Sequence, residues 1–490
     1  MKLVRNKEMK LKRAVGQLFF LLVVLLFVSG CGPLGSEKEL MESSNETANS
    51  SEEIVRYTGE KSDVISSVYT SKRELTLTFN GMADKKTMGL LLDELDHYGI
   101  PATFFLPGLR VAEEPDVANY IVSRGYEIEN NTLNQLDMSA LSYEQIYKEI
   151  KLSNDVIEKE TGVKPRYIRT KSGDYNDDIR LVTAQLGMDA VVSYNINPKD
   201  WDMKDAKSIG EYVERYVSRG GIISLNTHIN PEVVSSIAYI AKAAEDIGYK
   251  FITLNQLIEN GGVRKPLAEI EGFDAVKVNL DYENEKPILF YNTYTNDKVI
   301  SLTFDDWASD KTVTAVLDIL DEYDLKATFF LIGSGVERNP NLARAILDAG
   351  HEVASHSYSH QVVTEMTPID LQEDLVKAHE VLTEAIQQQP TMLFRPATGE
   401  INEEAAKIIT ATGYPVIALY DVTALDWDVN NKAKDIVQKI LARTKEGSVV
   451  LLHIQDNKHT IEALPTVIES LQSKGYRFVT MSELVEREIN

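Results

Sequence analysis

Val299-Ile300-Ser301-Leu302-Thr303-Phe304-Asp305-Asp306, taken with Gly350-His351-Glu352-Val353-Ala354-Ser355-His356-Ser357-Tyr358-Ser359-His360, decides how the rest of the chain is read. In the first stretch Ile300, Leu302 and Phe304 alternate with Val299, Ser301 and Thr303, the period-two pattern of a strand, and that strand stops on two adjacent carboxylates. Two acids at a strand end do not read as core. The second stretch reads as another short strand that delivers two histidines four residues apart, a spacing that puts both imidazoles on one face of a turn. Together they supply a carboxylate and two imidazoles for a divalent metal with open positions, plus one spare carboxylate.

Around these motifs the second half of the chain reads as seven strands, near Val299–Phe304, Ala327–Ile332, His351–Ser355, Met392–Arg395, Pro415–Leu419, Ser448–His453 and Arg477–Thr480. Helical patterns lie between them, such as Pro368–Gln387, entered through Thr367 with Asp370 three residues later, and Ala405–Thr412, closed by Gly413. Strict β/α alternation predicts a parallel sheet or barrel. The candidate chemical residues fall at or just beyond C-terminal strand ends, as in barrels built this way.

The first half repeats the second at an almost constant offset. Leu77-Thr78-Phe79 recurs as Leu302-Thr303-Phe304 and Ala102-Thr103-Phe104-Phe105-Leu106 as Ala327-Thr328-Phe329-Phe330-Leu331, both 225 residues on. Arg169 pairs with Arg395 and Asp200-Trp201-Asp202 with Asp426-Trp427-Asp428 at 226, and Gly248-Tyr249 with Gly475-Tyr476 at 227. Two one-residue insertions over such a span mean one fold used twice. The first copy is stripped: Asn80 and Gly81 stand at the places of Asp305 and Asp306, Asn131 and Gln135 at those of His356 and His360, and Asn226 at that of His453. Asn and Gln are feeble ligands, so this copy is expected to hold no metal. His228, two residues past Asn226, is read as structural rather than as a shifted ligand.

The pair Thr303-Phe304-Asp305-Asp306 and His356-Ser357-x-x-His360 resembles the polysaccharide deacetylases with a NodB homology domain, carbohydrate esterase family 4. The resemblance implies an α/β fold of two tandem distorted, incomplete (β/α) barrels. It implies Asp305 as catalytic base, and Asp306, His356 and His360 as ligands of one divalent metal, zinc first among the choices. Leu451-Leu452-His453 matches the family's Leu-x-His motif, which makes His453 the general acid and Leu451 the wall of an acetyl pocket. Arg395 matches the arginine that orients the base by paired hydrogen bonds. Asp426-Trp427 matches the fourth motif, where the acid tunes the histidine and the tryptophan lines the pocket; Asp421 and Asp428 are nearby competitors, and retention of Asp200-Trp201 in the stripped copy favours packing for part of it. Thr398 stands where the family's backbone N–H faces the oxyanion. Trp307 replaces a common glycine, and stacking on a sugar or filling space are both open to it. His351, His379 and His459 read as strand, helix-face and loop residues.

At the N-terminus a basic segment runs into apolar Leu18–Val28 and then Ser29-Gly30-Cys31, a lipobox pattern with the only cysteine of the protein at the position that receives lipid. The expected organisation is a lipoprotein signal peptide (1–30), a flexible Ser- and Glu-rich tether (31–65), a non-catalytic copy (66–262), a linker (263–291) containing a candidate strand at Val276–Leu280, and a catalytic copy (292–490). The formal charge of the 490 residues is −24, and residues 1–13 carry +5 of it, leaving −29 beyond them. So acidic a body argues against nucleic acid as partner. The expected function is removal of N-acetyl or O-acetyl groups from an extracellular polysaccharide such as peptidoglycan or chitin-like oligomers, at the extracytoplasmic face of a bacterial membrane. A small-amide deacylase with the same metal centre and a non-catalytic carbohydrate-binding lipoprotein are the rivals; no protein partner can be inferred.

Overall fold

The computed structural model describes residues 54–489, so the apolar leader and Cys31 lie outside the described residues. Two parallel sheets, each wrapped by helices, follow one another along the chain. The second sheet has nine strands in the spatial order Val422–Thr423, Val449–His453, Val299–Asp306, Thr328–Leu331, Glu352–Ser355, Leu393–Phe394, Val416–Ala418 and Ile288–Phe290, with Arg477–Val479 also paired to Val299–Asp306. Each of the seven expected strands is present. Two more were missed because neither stands in the β/α alternation: Val422–Thr423 follows Val416–Ala418 with no helix between them, and Ile288–Phe290 precedes the first unit. The first sheet has eight strands and the same order through Ala190–Val192, Tyr167–Ile168, Glu127–Asn130, Ala102–Leu106, Glu74–Asn80 and Gly221–Asn226.

Alternation along Val299–Asp306 sorts side chains onto the two faces of a strand that is buried at every position. Ile300, Leu302 and Phe304 pack outward into the layer between sheet and helices, whereas Val299 joins Phe330, Ala354 and Val449 in the barrel interior. Helix Met481–Ile489 closes the bottom of that interior through Met481 and Leu484. The first copy repeats the plan: Phe79 stacks on Phe104 with centroids 5.0 Å apart, as Phe304 does on Phe329 at 5.0 Å. Short antiparallel bridges, Ser67 to Gly221 and Asn292 to Ser448, bring each open edge back toward the opposite side of its barrel.

Two segments differ from the sequence reading. Asp63–Ile65, expected in the tether, pairs in parallel with Ala190–Val192, and Ile288–Phe290, expected in the linker, pairs with Val416–Ala418. Val276–Leu280 forms no strand. Of its apolar residues Val276 is buried beside Phe394 and Tyr414 while Val278 and Leu280 are exposed, and Asn279 exchanges hydrogen bonds with Gln372 at 2.7 Å. These contacts and one backbone bond, from the Lys277 amide to the Thr412 carbonyl at 2.8 Å, hold the segment without a ladder.

The two copies share a buried polar interface. Arg219 of the first bonds Asp310 of the second, whose Oδ1 also accepts from Tyr249 Oη at 2.6 Å, while Arg219 Nη2 reaches Thr314 Oγ1 at 3.0 Å. Asn341 adds bonds to the carbonyls of Val68 at 2.8 Å and Arg219 at 2.7 Å.

Candidate active site

The parallel ladder brings the chemical residues to one end of the second barrel. Asp305 and Asp306 end their strand, and in register Asp305 faces His453 on one neighbour. His356 follows the strand Glu352–Ser355 on the other side, and Arg395 follows Leu393–Phe394. Asp306, His356 and His360 form the one candidate metal-ligand group among the described residues. His360 Nε2 lies 3.3 Å and His356 Nε2 3.8 Å from Asp306 Oδ1. Donors at ~2.0–2.2 Å from one zinc in a tetrahedral shell stand roughly 3.3–3.6 Å apart; the His360 separation is at that spacing, the His356 separation is slightly wider, and all three ligand atoms lie within 4.8 Å of one another, so a small side-chain movement would close the set on such an ion.

Local geometry aims these ligands. His356 Nδ1 is 2.8 Å from the Arg395 carbonyl, which places a proton on Nδ1 and leaves Nε2 as the donor atom. Burial pushes the His356 pKa down against the pull of Asp305, so the ring is neutral, as a ligand must be. Burial alone would raise the Asp306 pKa, but His360, His356 and Gln455 together hold it below the usual carboxylate range. Asp306 has φ 84° and His360 φ 58°, left-handed values that cost a non-glycine residue on the order of 1–3 kcal/mol. The stripped copy has Gly81 at φ 82° where Asp306 stands, so glycine removes the strain where the ligand is not kept.

Asp305 is bound by Arg395, but not through the paired bonds expected. Arg395 Nη1 alone donates to Asp305 Oδ1, at 2.7 Å, and also to Thr303 Oγ1 at 2.9 Å; Nε and Nη2 go to the carbonyls of Ala418 and Leu419. The fork is occupied by the carbonyls at the end of the adjacent strand. His453 Nδ1 is 2.8 Å from Asp426 Oδ1, and Asp426 Oδ2 accepts from the His453 amide at 2.9 Å and from Thr460 Oγ1 at 2.8 Å. Burial opposes the charged ring, but Asp426, Asp305 and Asp306 outweigh it, and the His453 pKa is raised.

Of the competing acids, Asp421 holds Ser448 and the Val449 amide, and Asp428 caps an exposed turn at Asn430. Leu451 is buried, Thr398 is exposed with φ 63°, and Trp427 is half exposed. Trp307 is partly buried: a Cβ on Gly335 would meet its ring at 2.3 Å, so it is seated on that glycine. His351 accepts from the Ala327 amide, His379 bonds the Gly272 carbonyl, and His459, expected in a loop, sits in the first turn of helix Lys458–Ser473.

Three residues escaped the sequence reading. Gln455 Nε2 donates to Asp306 Oδ2 at 2.8 Å, Thr460 holds Asp426, and Asp374 accepts from the amides of Tyr358 and Ser359, securing the turn between the two histidines. The repeat offered a signal for Gln455, since His228 stands at the equivalent place in the first copy.

The first copy preserves the bonding pattern with amides. Arg169 reaches Thr78 Oγ1 at 2.7 Å and Asn80 Oδ1 at 3.4 Å, Asn226 Nδ2 reaches Asp200 Oδ1 at 2.8 Å, and Asn131 Nδ2 reaches the Arg169 carbonyl at 2.8 Å. With no carboxylate facing it, burial takes the Arg169 pKa down to about 9. A Cβ on Gly81 would lie 2.4 Å from His228 Nδ1, so that imidazole fills the place of the Asp306 side chain. Asp200 is buried, while Trp201 is half exposed; the packing role in this motif belongs to the acid.

Fold and site define a β/α-barrel protein that sets a candidate metal-ligand triad between an arginine-held acid and an acid-held histidine. The chain belongs to the polysaccharide deacetylase family, whose profile matches it twice, over residues 67–191 and 292–417. It is similar to a peptidoglycan-N-acetylglucosamine deacetylase of Bacillus cereus, 35% identical over 193 residues, which cover 39% of this chain and 89% of that one. PgdA, a peptidoglycan-N-acetylglucosamine deacetylase of Listeria monocytogenes, is 37% identical over 188 residues, 38% of this chain and only 39% of the relative's length. Among solved structures, peptidoglycan deacetylase PdaC from Bacillus subtilis is 33% identical over 39% of this chain and 91% of that chain, with a TM-score of 0.36.

Proposed function

We propose that the second copy is a metal-dependent deacetylase acting on N-acetyl groups, with O-acetyl groups open to the same chemistry, of an extracellular polysaccharide, peptidoglycan amino sugars first among them. The observation that carries this reading is the flanking of Asp306, His356 and His360 by Arg395-held Asp305 on one side and Asp426-held His453 on the other. The relatives' names support the substrate class. A divalent metal, zinc by its donor set, would be held by the triad and would supply Lewis acidity to a water and to the acetyl carbonyl oxygen. Asp305 takes a proton from that water as its oxygen attacks the carbonyl carbon. His453 Nε2 gives a proton to the leaving nitrogen as the C–N bond breaks, and Asp426 keeps the other ring proton on Nδ1. The products are acetate and a free amine. Leu451 bounds the acetyl methyl group, the Thr398 N–H faces the oxyanion, and Trp427 offers a ring to the sugar. Acetate release from N-acetylglucosamine oligomers and from purified cell wall, after chelation and after return of zinc, tests the reading. Metal-loaded protein that releases no acetate from any acetylated glycan would sink it.

One tightly bound divalent ion per chain is expected, because the stripped copy lacks the ligands; elemental analysis showing two would contradict that. The raised His453 pKa means its proton is present below that value and lost above it, so turnover falls on the alkaline side. Asp426→Asn withdraws the carboxylate that favours the charged ring. The alkaline limb of kcat/KM should move to lower pH, with kcat down about 10²-fold. An unmoved limb would remove His453 from the acid role. We also place the protein at the extracytoplasmic membrane face, anchored through Cys31; Cys31→Ser should abolish lipid modification, read by mass spectrometry of the membrane fraction.

A further inference from the structure

We infer that the cleft between the two copies is a binding subsite for the glycan chain running on from the sugar being deacetylated, an inference that rests on the reading above. The cleft has a volume of about 1420 Å³. That exceeds the ~300–1,000 Å³ of a pocket for one small molecule and suits a run of sugars. Its lining adjoins the candidate site along the chain: Trp307 directly follows Asp306, and Asp456 directly follows Gln455, whose amide bonds Asp306 at 2.8 Å.

The far wall belongs to the stripped copy. Helix Ala206–Tyr216 places Tyr212 and Tyr216 four residues apart along the cleft, with ring centroids 4.5 Å apart. Tyr216 is 50% exposed. Trp307, seated on Gly335, supplies an aromatic group from the catalytic copy. Several of the ionic groups here are engaged within the protein: Lys311 with Glu214 at 2.5 Å, Asp310 with Arg219, and Asp456 with the hydroxyls of Ser309 and Thr312 at 2.6 Å. Those pairs offset part of the cleft's charge, and beside them the lining offers aromatic faces together with hydroxyl, amide and guanidinium edges. Uncharged sugars match that chemistry, their C–H faces lying on the rings and their hydroxyls meeting Asn195, Ser208 and Arg215. The stripped copy then serves as a wall that grips polymer while the other copy performs the chemistry.

The test uses the full zinc-loaded chain, the variants Tyr216→Ala and Tyr212→Ala/Tyr216→Ala, an N-acetylglucosamine trimer and soluble glycol chitin. KM for the polymer should rise roughly five- to tenfold with kcat unchanged, and trimer kinetics should stay as in the parent. An unchanged polymer KM, or equal loss on both substrates, overturns the subsite. Should the double variant fail to fold, the half-exposed Tyr216→Ala decides alone. If the parent releases no acetate from either substrate, the deacetylase reading falls; co-sedimentation with insoluble chitin then decides the cleft, which is overturned if the variants bind as the parent does.

Discussion

Asp305→Asn is expected to keep the divalent metal and to lose about 10²- to 10⁴-fold in kcat, the usual cost of removing a general base. The triad that would hold the ion does not include Asp305, whose Oδ2 is 3.9 Å from His356 Nε2. The substitution is close to one the chain already carries. Asn80 occupies the equivalent place in the first copy and accepts from Arg169 at 3.4 Å in the same buried network, so an amide is sterically acceptable beside the arginine. An amide has no proton affinity to speak of near neutral pH, so what disappears is base strength rather than shape. Metal content by elemental analysis and kcat on a short oligomer are measured together. A metal-free variant would make Asp305 a ligand; turnover within a few-fold of the parent would remove it from the base role.

The second large effect concerns Arg219. Arg219→Met should destabilise the protein by about 3–5 kcal/mol, because it strands the Asp310 carboxylate in the interface between the copies. Tyr249 Oη and Thr314 Oγ1 would still face Asp310 but bring no charge. The double variant Arg219→Met/Asp310→Leu should recover most of that loss, since an apolar pair in place of a buried ion pair is often neutral. Urea denaturation of both variants reads the difference. A loss under about 1 kcal/mol for the single variant would mean that water reaches the pair. The network is specific to this junction: Lys85, Glu446 and Tyr476 stand at the equivalent repeat positions of Asp310, Arg219 and Tyr249, and none of them is buried.

What could be read from the chain before any coordinates follows from how local each signal is. The strand Val299–Asp306 carries its own inside-outside pattern, and each candidate catalytic group stands within a residue or so of such a strand end, so short motifs placed Asp305, Asp306, His356, Arg395 and His453 at one rim. Comparing the copies position by position was enough to see that Asn80, Gly81, Asn131, Gln135 and Asn226 stand where the second copy has acids and imidazoles. Val422–Thr423 escaped because it follows Val416–Ala418 with no helix between, outside the alternation that located the other strands.

The sequence by itself thus determined the repeated β/α plan, the identity of the candidate ligands and the absence of those residue types from the matching positions of the first copy. Each of these depends on residues close together in the chain or related by a constant offset. Only the tertiary structure decided that Asp426, rather than Asp421 or Asp428, meets His453, and that Arg395 gives Asp305 one nitrogen instead of two. It also decided that Gln455 steadies Asp306 from 149 residues away and that Arg219 meets Asp310 across the two copies. The physical reason is that a hydrogen bond is won by whichever donor and acceptor the packing brings within about 3 Å at a good angle. That outcome is set by strand register and by the docking of one barrel on the other, and it leaves no periodic trace in the order of residues.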